Sequence, residues 1–317
     1  MPRQHSTPCG VRYSHLYRIG AEEVRLTVDD DAVLLETDGP VARLILNRPA
    51  KHNAIRFDDL DRLVELLHEA EEDDSVRVII LQGRGKSFCA GHDYDDAVRS
   101  YGLEPGADGE KPRRPSQRSR LARDRRLGMN YMAFHYSLKP VIAQIQGVCV
   151  GAGLYIAELV DLAICADTAR FSHAEQRLGL AGNTWHLNTQ IMKYGPKRAR
   201  ELLLLGEEFN GTQAAEWGLV NRSVPEEDLE ATVEEWARKV AQHPRDALVT
   251  GKAVWQMALD SLGGTQQFWR GYVGHTLGTN LRFEPDEFNF LRERSHLGTR
   301  DAFADRDSHY NGNGKSR

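Results

Sequence analysis

The stretch GVCVGAGLYIAELVDLAIC, residues 147–165, decides the fold of this 317-residue chain. Its uncharged run ends at Glu158, so it is shorter than the roughly 18–20 apolar residues that a membrane-spanning helix needs. Glycines, which are poor helix formers, stand at 147, 151 and 153. We interpret the stretch as a glycine-rich turn, a buried helix and a following strand, LAICA.

Strand-like segments lie around this stretch. VLLET and VARLIL flank an Asp38-Gly39-Pro40 turn, and VRVIIL (76–81) and VIAQI (141–145) are apolar runs typical of buried strands. Between them, FDDLDRLVELLHEAEED places leucines 60, 63 and 67 on one face of a helix. The alternation of strands and helices predicts an α/β fold in which helices cover sheets.

The character of the sequence changes along the chain and predicts four regions. Residues 1–30 form a polar N-terminal extension, and residues 31–224 hold the α/β core. Residues 225–300 show mostly helical patterns, which predicts a helical C-terminal region. Residues 301–317 end in DRDSHYNGNGKSR, which is typical of a disordered tail.

The bulk composition limits the classes of function. A hydrophobic content of 40% is sufficient for a sizeable core, and a net charge of −5 gives no general attraction to nucleic acid. The four cysteines form no CxxC pair, so we expect neither a metal site nor disulfides, and a cytoplasmic location. The N-terminus shows no apolar segment typical of a secretory signal.

A basic segment interrupts this acidic chain at residues 104–126, with eight Lys/Arg from Lys111 to Arg126. One interpretation is a mobile, solvated loop followed by a helix with a charged face. The other is a basic rim for an anionic ligand such as a phosphate.

The glycines at 151 and 153 indicate an anion site at the start of the predicted helix. A helix start leaves N–H groups without partners and carries partial positive charge, and glycine lets a ligand approach the backbone. The alternative is that small residues at 151–153 permit tight packing against a strand. A second loop, GKSFCAGHD (85–93), also follows a strand. N–H groups from two such loops that converge on one oxygen form an oxyanion hole.

Four motifs in series resemble the enoyl-CoA hydratase/isomerase, or crotonase, superfamily. They are NRPAKHNAI, VRVIILQGRGKSFCAGHD, KPVIAQIQGVCVGAGLYIAELVDLAICADTARFSHAE and AAEWGLVNRSV. The resemblance implies a crotonase-like spiral of ββα turns with a helical C-terminal trimerisation region, and hence a homotrimer or a dimer of trimers. It also implies an acyl-CoA substrate, an enolate stabilised by an oxyanion hole, and no cofactor beyond the coenzyme A of the substrate.

The resemblance assigns the oxyanion hole to the backbone N–H groups of His92 and Ala152. Because only the backbone is needed, we expect the His92 ring to point to the surface. The same motifs imply that Lys86, Ala90 and Lys51 contact coenzyme A.

One position departs from the family near the expected phosphates. Asp95 stands where family members usually have a second lysine. A carboxylate there would repel a pyrophosphate, unless the basic segment compensates for it.

The hydratases that this sequence resembles use two glutamates to hold a water molecule. Glu175 matches the second glutamate, whereas Tyr155 stands at the position of the first. A tyrosine can donate a hydrogen bond or a proton, but a reference pKa near 10 makes it a poor base. Proton abstraction therefore falls to Glu175. Glu158 lies one turn deeper on the same helix, and we expect it to pair within the core.

The segment AGNTWHLNT follows Glu175 and replaces a glycine-rich stretch of the hydratases. It implies that Asn183, Trp185 and His186 contribute to the substrate pocket. The segment is similar to that of the aryl-CoA dehalogenases, in which a nucleophilic aspartate occupies the position of Asn183. Because an amide is not a competent nucleophile, we do not expect dehalogenation.

Three functions stay open from the sequence. The first is an acyl-CoA enzyme with one carboxylate base, either a double-bond isomerase or a hydratase that places water with Tyr155, His186 or Asn183. The second is a CoA-independent hydrolase of carbon–carbon bonds in β-diketones, suggested by the missing lysine at 95 and the histidines at 173 and 186. The third is an RNA-binding crotonase-fold protein, which the net negative charge disfavours. We expect neither a membrane nor a nucleic acid as a partner.

Overall fold

The computed structural model describes residues 18–19, 22–23, 32–103, 115–182, 185–279, 281, 283–284 and 286–311. The chain divides into two compact units, Met1–Asp30 and Asp31–Arg317. In the first unit, strands β1 (Arg18–Ile19) and β2 (Glu22–Glu23) pair in antiparallel fashion; the rest of the predicted polar extension lies outside the described residues. Among the described helices, none is long and apolar enough to cross a membrane.

Six strands form the larger sheet of the second unit. They are β3 (Val33–Asp38), β4 (Val41–Leu46), β5 (Val78–Gly83), β6 (Val141–Ile145), β8 (Leu162–Ala166) and β11 (Arg222–Val224). Their order is β11-β8-β6-β5-β4-β3, with β3 and β4 antiparallel and the other neighbours parallel. The strands predicted from VLLET, VARLIL, VRVIIL, VIAQI and LAICA are confirmed, although β5 begins two residues later than its apolar run.

A smaller sheet of three strands lies next to the glycine turn. It contains β7 (Val148–Val150), β9 (Arg170–Ser172) and β10 (Phe209–Asn210), in the order β10-β9-β7. An isolated bridge pairs Cys89 with Cys149: the Cys89 N–H donates to Val148 O at 3.0 Å, and the Val150 N–H donates to Cys89 O at 3.0 Å. This bridge fixes the GKSFCAGHD loop beside the turn at 151–153.

Helices cover the sheets and make up the C-terminal region. They are α1 (Phe57–Glu72), α2 (Tyr94–Ser100), α3 (Gln117–Tyr136), α4 (Ala152–Leu159), α5 (Leu187–Leu205), α6 (Gly211–Glu216), α7 (Leu229–Ala241), α8 (Arg245–Ser261), α9 (Gly264–Gly278), α10 (Phe290–Leu297) and α11 (Thr299–Tyr310). Helix α7 packs on β4, β5, β6 and β8, and α3 packs on α1, α4 and α9. The predicted helical C-terminal region is therefore present.

The end of the chain differs from the prediction of a disordered tail at 301–317. Helix α11 occupies most of it, with Ala302 fully buried. Phe303 contacts Tyr94 and Phe290, with ring centroids 5.4 and 4.8 Å apart. The sequence of α11 is polar, and its few apolar residues find partners far away in the chain, so no local pattern revealed the helix. Residues 312–317 lie outside the described part of the chain.

Candidate active site

A cavity of about 480 Å³ lies where the GKSFCAGHD loop meets the start of α4. Residues of both segments form its wall, and Glu175 joins them from the segment after β9.

Glycines bring the two loops into contact. Gly151 caps α4 with φ 49° and ψ −120°, a conformation that strains residues with a side chain. A Cβ on Gly153 would lie only 2.6 Å from the Cβ of Cys89, and a Cβ on Gly91 would lie 3.7 Å from the Ala152 nitrogen. Ala152 is the first residue of the helix, so its N–H has no acceptor one turn earlier. The glycines thus serve close packing and also expose the helix start to the cavity.

The backbone of His92 faces the same edge of the cavity. The Ile55 N–H donates to Gly91 O at 2.8 Å, and the Asp93 N–H donates to Ile55 O at 2.9 Å. In this parallel bridge, Ile55 uses the groups on either side of His92, so the His92 N–H points away from Ile55. The two predicted oxyanion donors, His92 and Ala152, therefore line one cavity.

Glu175 and Tyr155 are in direct contact. The Tyr155 hydroxyl donates a hydrogen bond to Glu175 Oε1, and a Cβ on Gly151 would lie 3.9 Å from that oxygen. Glu175 Oε2 is buried and has no hydrogen-bond partner among the described residues. Burial, reinforced by the charge of Glu175, raises the pKa of Tyr155 well above its usual value. Tyr155 therefore keeps its proton at neutral pH and orients the carboxylate.

A buried polar cluster lies behind Tyr155 and centres on Glu158. The Glu158 carboxylate contacts His173 Nε2 at 3.0 Å, Gln190 Nε2 at 3.0 Å and the Tyr194 hydroxyl at 2.7 Å, and it also contacts His186 Nε2. Burial acts to raise the pKa of Glu158, but the two histidines hold it well below its usual value. Burial acts to lower the pKa of His173, but Glu158 raises it above the usual value. The prediction that Glu158 pairs within the core is confirmed.

His186 does not lie where the sequence predicted. It is fully buried, its ring stands edge-on to Tyr155 at 5.2 Å, and it is absent from the described wall of the cavity. Its neighbour Trp185 does line the cavity. The prediction of His186 as a pocket residue is therefore wrong. Since Glu158 also binds His173, neither histidine supports the β-diketone hydrolase hypothesis.

Replacing Glu158 by glutamine should lower the free energy of unfolding by about 3–5 kcal/mol, because it removes one partner of a buried ion pair. The raised pKa of His173 gives stability that is lost as the pH rises through its folded-state value. The lowered pKa of Glu158 gives stability that is lost as the pH falls through its own folded-state value. The loss of stability in Glu158→Gln should be largest between pH 4.5 and pH 6.5, which are the ordinary pKa values of a glutamate and a histidine. Urea denaturation at several pH values measures it.

The matched control for this stability measurement is Glu201→Gln. Glu201 pairs with Arg198 at 2.7 Å on the exposed face of α5, and such a pair contributes about 0–1 kcal/mol. Equal urea midpoints for Glu158→Gln and the control at every pH would contradict a stabilising role of the buried pair.

Aromatic side chains line the cavity, among them Phe57, His92 and Trp185, and Tyr131 packs behind them. The Tyr131 ring lies 5.5 Å from that of Tyr155 and 5.8 Å from that of Trp185. The ring of His92 packs 5.0 Å from Phe57, with its Nε2 2.6 Å from the Tyr131 hydroxyl. The expectation of a surface-pointing His92 ring is therefore wrong. Burial, together with the charge of His275, lowers the pKa of His92 to about 4, so the ring is neutral at pH 7.

The predicted contacts to coenzyme A are only partly brought together. Lys51 and Ala90 line the cavity, whereas Lys86 is exposed and absent from its described wall. Asp95 also lines the cavity, and its carboxylate accepts hydrogen bonds from Arg294 Nη2 at 2.7 Å and Thr299 Oγ1 at 3.0 Å. The bond from Arg294 is the main cause that lowers the pKa of Asp95.

Hydrogen bonds from α10 and α11 thus stabilise the negative charge of Asp95. The sequence did not predict these contacts. The first part of the basic segment, residues 104–114, and Asn183 lie outside the described residues.

Comparisons with known proteins agree with this geometry. The family model described as Enoyl-CoA hydratase/isomerase matches residues 36–270. A 1,2-epoxyphenylacetyl-CoA isomerase of Escherichia coli K12 is 34% identical over 224 residues, which cover 67% of this chain and 77% of the relative.

Solved structures share the fold. An enoyl-CoA hydratase/isomerase of Xanthobacter autotrophicus Py2 has a TM-score of 0.74 and 28% identity, covering 88% of this chain and 98% of the other. An enoyl-CoA hydratase of Mycobacterium smegmatis has a TM-score of 0.77 and 27% identity, covering 89% and 96%. The crotonase-like fold is therefore confirmed, and the chain belongs to the enoyl-CoA hydratase/isomerase family.

Proposed function

We propose that this chain is an acyl-CoA double-bond isomerase in which Glu175 moves a single proton. Glu175 would remove a proton from carbon 2 of a 3-enoyl thioester and return it to carbon 4. The double bond then lies between carbons 2 and 3, and no water is consumed. The oxygen of the intermediate enolate would accept hydrogen bonds from the N–H groups of His92 and Ala152, where its negative charge develops.

The hydrogen bond from Tyr155 to Glu175 carries this proposal. It occupies Oε1 with a donor that keeps its proton, and it leaves the buried Oε2 as the oxygen that can take a proton. Water addition in the related hydratases uses a second carboxylate, and Tyr155 replaces it here. A proton shift between two carbons of one substrate needs only one base. The Escherichia coli relative is named as an isomerase of an epoxyacyl-CoA, and this name supports an isomerisation of a CoA thioester only in general.

The proposal is tested with 3-hexenoyl-CoA and 2-hexenoyl-CoA as separate substrates, followed by absorbance and mass spectrometry. We expect 3-hexenoyl-CoA to become the conjugated 2-enoyl thioester with unchanged mass. We expect 2-hexenoyl-CoA to gain water much more slowly. Faster addition of water to 2-hexenoyl-CoA would identify a hydratase instead, and conversion of neither thioester would contradict both the isomerase and the hydratase function.

Tyr155→Glu should restore the two-carboxylate arrangement and raise the rate of water addition to crotonyl-CoA above that of the parent. The new carboxylate would face Glu175 across the cavity edge and could hold a water molecule between them. Tyr155→Phe serves as the control, because it removes the hydroxyl without adding a base. Loss of absorbance of the enoyl thioester measures hydration. A rate for Tyr155→Glu no higher than that for Tyr155→Phe would show that position 155 does not decide between the two reactions.

We also propose that the chain forms a trimer or a dimer of trimers through its C-terminal helices. Helices α8 and α9 and the turn between them expose large apolar side chains, among them Trp255 (63%), Met257 (69%), Leu262 (65%) and Leu277 (65%). Apolar surfaces of this kind mark interaction sites.

Charging the exposed face of α8 should therefore dissociate the assembly. We expect sedimentation to give a trimer or hexamer for the parent and smaller species for Trp255→Glu. Leu204→Glu, at a position 64% exposed on α5, is the control and should sediment like the parent. A parent that is monomeric at micromolar concentration would exclude the proposed assembly.

A further inference from the structure

A second polar cluster lies at the cavity, apart from Glu175, and three of its members, Tyr101, Arg120 and His275, line the cavity wall. It joins Tyr101, which follows α2, to Arg120 and Asp124 of α3 and to His275 of α9. Asp124 accepts hydrogen bonds from the Tyr101 hydroxyl at 3.0 Å and from the hydroxyl of Thr276 at 2.6 Å. It also faces Arg120 Nη2 at 3.6 Å and His275 Nδ1 at 3.4 Å. The proposed isomerisation uses none of these groups.

Arg120 is a member of the cluster that can still bind a ligand. It lines the cavity although it is only 8% exposed. Its Nη2 donates to Thr279 Oγ1, and its guanidinium lies 4.0 Å from the centre of the Tyr101 ring. Its Nε is buried and finds no acceptor among the described residues. A buried donor without an acceptor costs free energy, and an acceptor group on a bound ligand would remove that cost.

The guanidinium of Arg120 favours an anionic acceptor, because hydrogen bonds between a cation and a carboxylate are stronger than those between neutral groups. Arg120 is always charged, and Asp124, its carboxylate neighbour, already accepts hydrogen bonds from Tyr101 and Thr276. Apolar groups such as Val98, Leu127 and Leu180 form the adjacent wall. In such surroundings a guanidinium binds a carboxylate strongly, because both groups are shielded from water.

We infer that the cluster lies on the acyl side of the reacting centre, because a row of contacting rings connects it to the proposed base. His275 contacts Trp185 with ring centroids 4.6 Å apart, and Trp185 continues through Tyr131 to Tyr155 and Glu175. This row of rings leads from the proposed base to the cluster. The residues assigned to coenzyme A, Lys51 and Ala90, take no part in it.

We propose that the acyl group of the substrate ends in a carboxylate and that Arg120 binds this carboxylate. The proposal rests on the acyl-CoA function proposed above. It makes Arg120 a specificity-determining residue and the preferred substrates CoA thioesters of dicarboxylic acids. An unsubstituted hydrocarbon chain would leave the Arg120 Nε–H buried without an acceptor.

Calorimetric titration of saturated CoA thioesters tests this without depending on turnover. Glutaryl-, adipoyl- and suberoyl-CoA are compared with pentanoyl-, hexanoyl- and octanoyl-CoA, which have the same numbers of acyl carbons. We expect at least one dicarboxylic thioester to bind the parent about ten- to a hundredfold more tightly than the monocarboxylic thioester of the same length. Arg120→Gln should remove that preference, while the affinity for the monocarboxylic thioester stays unchanged. Arg120→Lys should keep part of the preference.

Arg125→Gln is the matched control, because it removes the same charge from an exposed position of α3. The preference should survive in this variant. Equal affinity within every pair for the parent overturns the inference but leaves the acyl-CoA function intact. An equal loss for both members of a pair in Arg120→Gln also overturns it, since Arg120 would then be structural or bind the coenzyme A phosphates. If no thioester binds the parent, the proposed function fails and this inference fails with it.

Discussion

Glu175→Gln should turn over its acyl-CoA substrate about 10²- to 10⁴-fold more slowly than the parent, which is the usual contribution of a positioned acid–base group. Glutamine keeps the shape of the side chain and can still accept the hydrogen bond from Tyr155, but it cannot take a proton from the substrate. Substrate binding should change little, so that the loss falls on kcat and not on KM. Initial rates over a range of substrate concentrations separate the two effects.

Glu230→Gln is the control for the loss of a negative charge, because Glu230 is exposed on α7. It should have the activity of the parent. Near-full activity of Glu175→Gln would show that the base has been assigned wrongly. The described cavity wall holds three other carboxylates, Asp93, Asp95 and Glu208, and Asp95 and Glu208 would be the next candidates. His173 and His186 are not candidates, because Glu158 binds both of them.

Ala152→Pro should slow turnover at least about 10²-fold, because it removes one of the two proposed oxyanion donors. Proline has no N–H, but the first position of a helix tolerates it, since that N–H has no partner within the helix. The variant should therefore lose catalysis while it keeps its helices. Initial rates and circular dichroism on the same preparation check both expectations.

The matched control is Gln117→Pro, which places proline at the first position of α3 after a residue in extended conformation. It should leave both activity and helix content unchanged. A fully active, folded Ala152→Pro enzyme would exclude this N–H from the oxyanion hole. A variant that loses its helical signal would be replaced by one with an ester linkage before residue 152, which removes the same donor without a ring.

The backbone part of the site could be predicted from the sequence because it depends on local signals. Glycines at 151 and 153, an apolar helix and flanking strands define the turn within a short stretch of chain. The oxyanion assignment needs only main-chain groups, and so it did not depend on the side chains of His92 and Ala152. The resemblance to the hydratases selected Glu175, and the structure places it in the wall of the same cavity.

The side chains of the cavity wall could not be predicted in the same way. Arg120 and His275 come from helices distant in sequence and meet only when α3 packs on α9. Arg120 was part of a charged run whose simplest interpretation was a solvated face, yet it is buried. His186 was misplaced because a motif gives the order of residues and not the side to which each one points. Helix α11 was not predicted, because its sequence is polar and Phe303 packs on Tyr94 and Phe290, which lie outside the helix.

The bridge between Cys89 and Cys149 has a consequence for protein engineering. The two main-chain hydrogen bonds of this bridge set the spacing between the loop that carries His92 and the turn that carries Ala152, and neither bond depends on a residue of the aromatic wall. Libraries that vary positions 120, 131, 185 and 275 can therefore exchange the proposed acyl recognition surface while the proposed oxyanion donors keep their separation. Selection for new thioester substrates should begin at these four positions and leave residues 89–92 and 149–153 untouched.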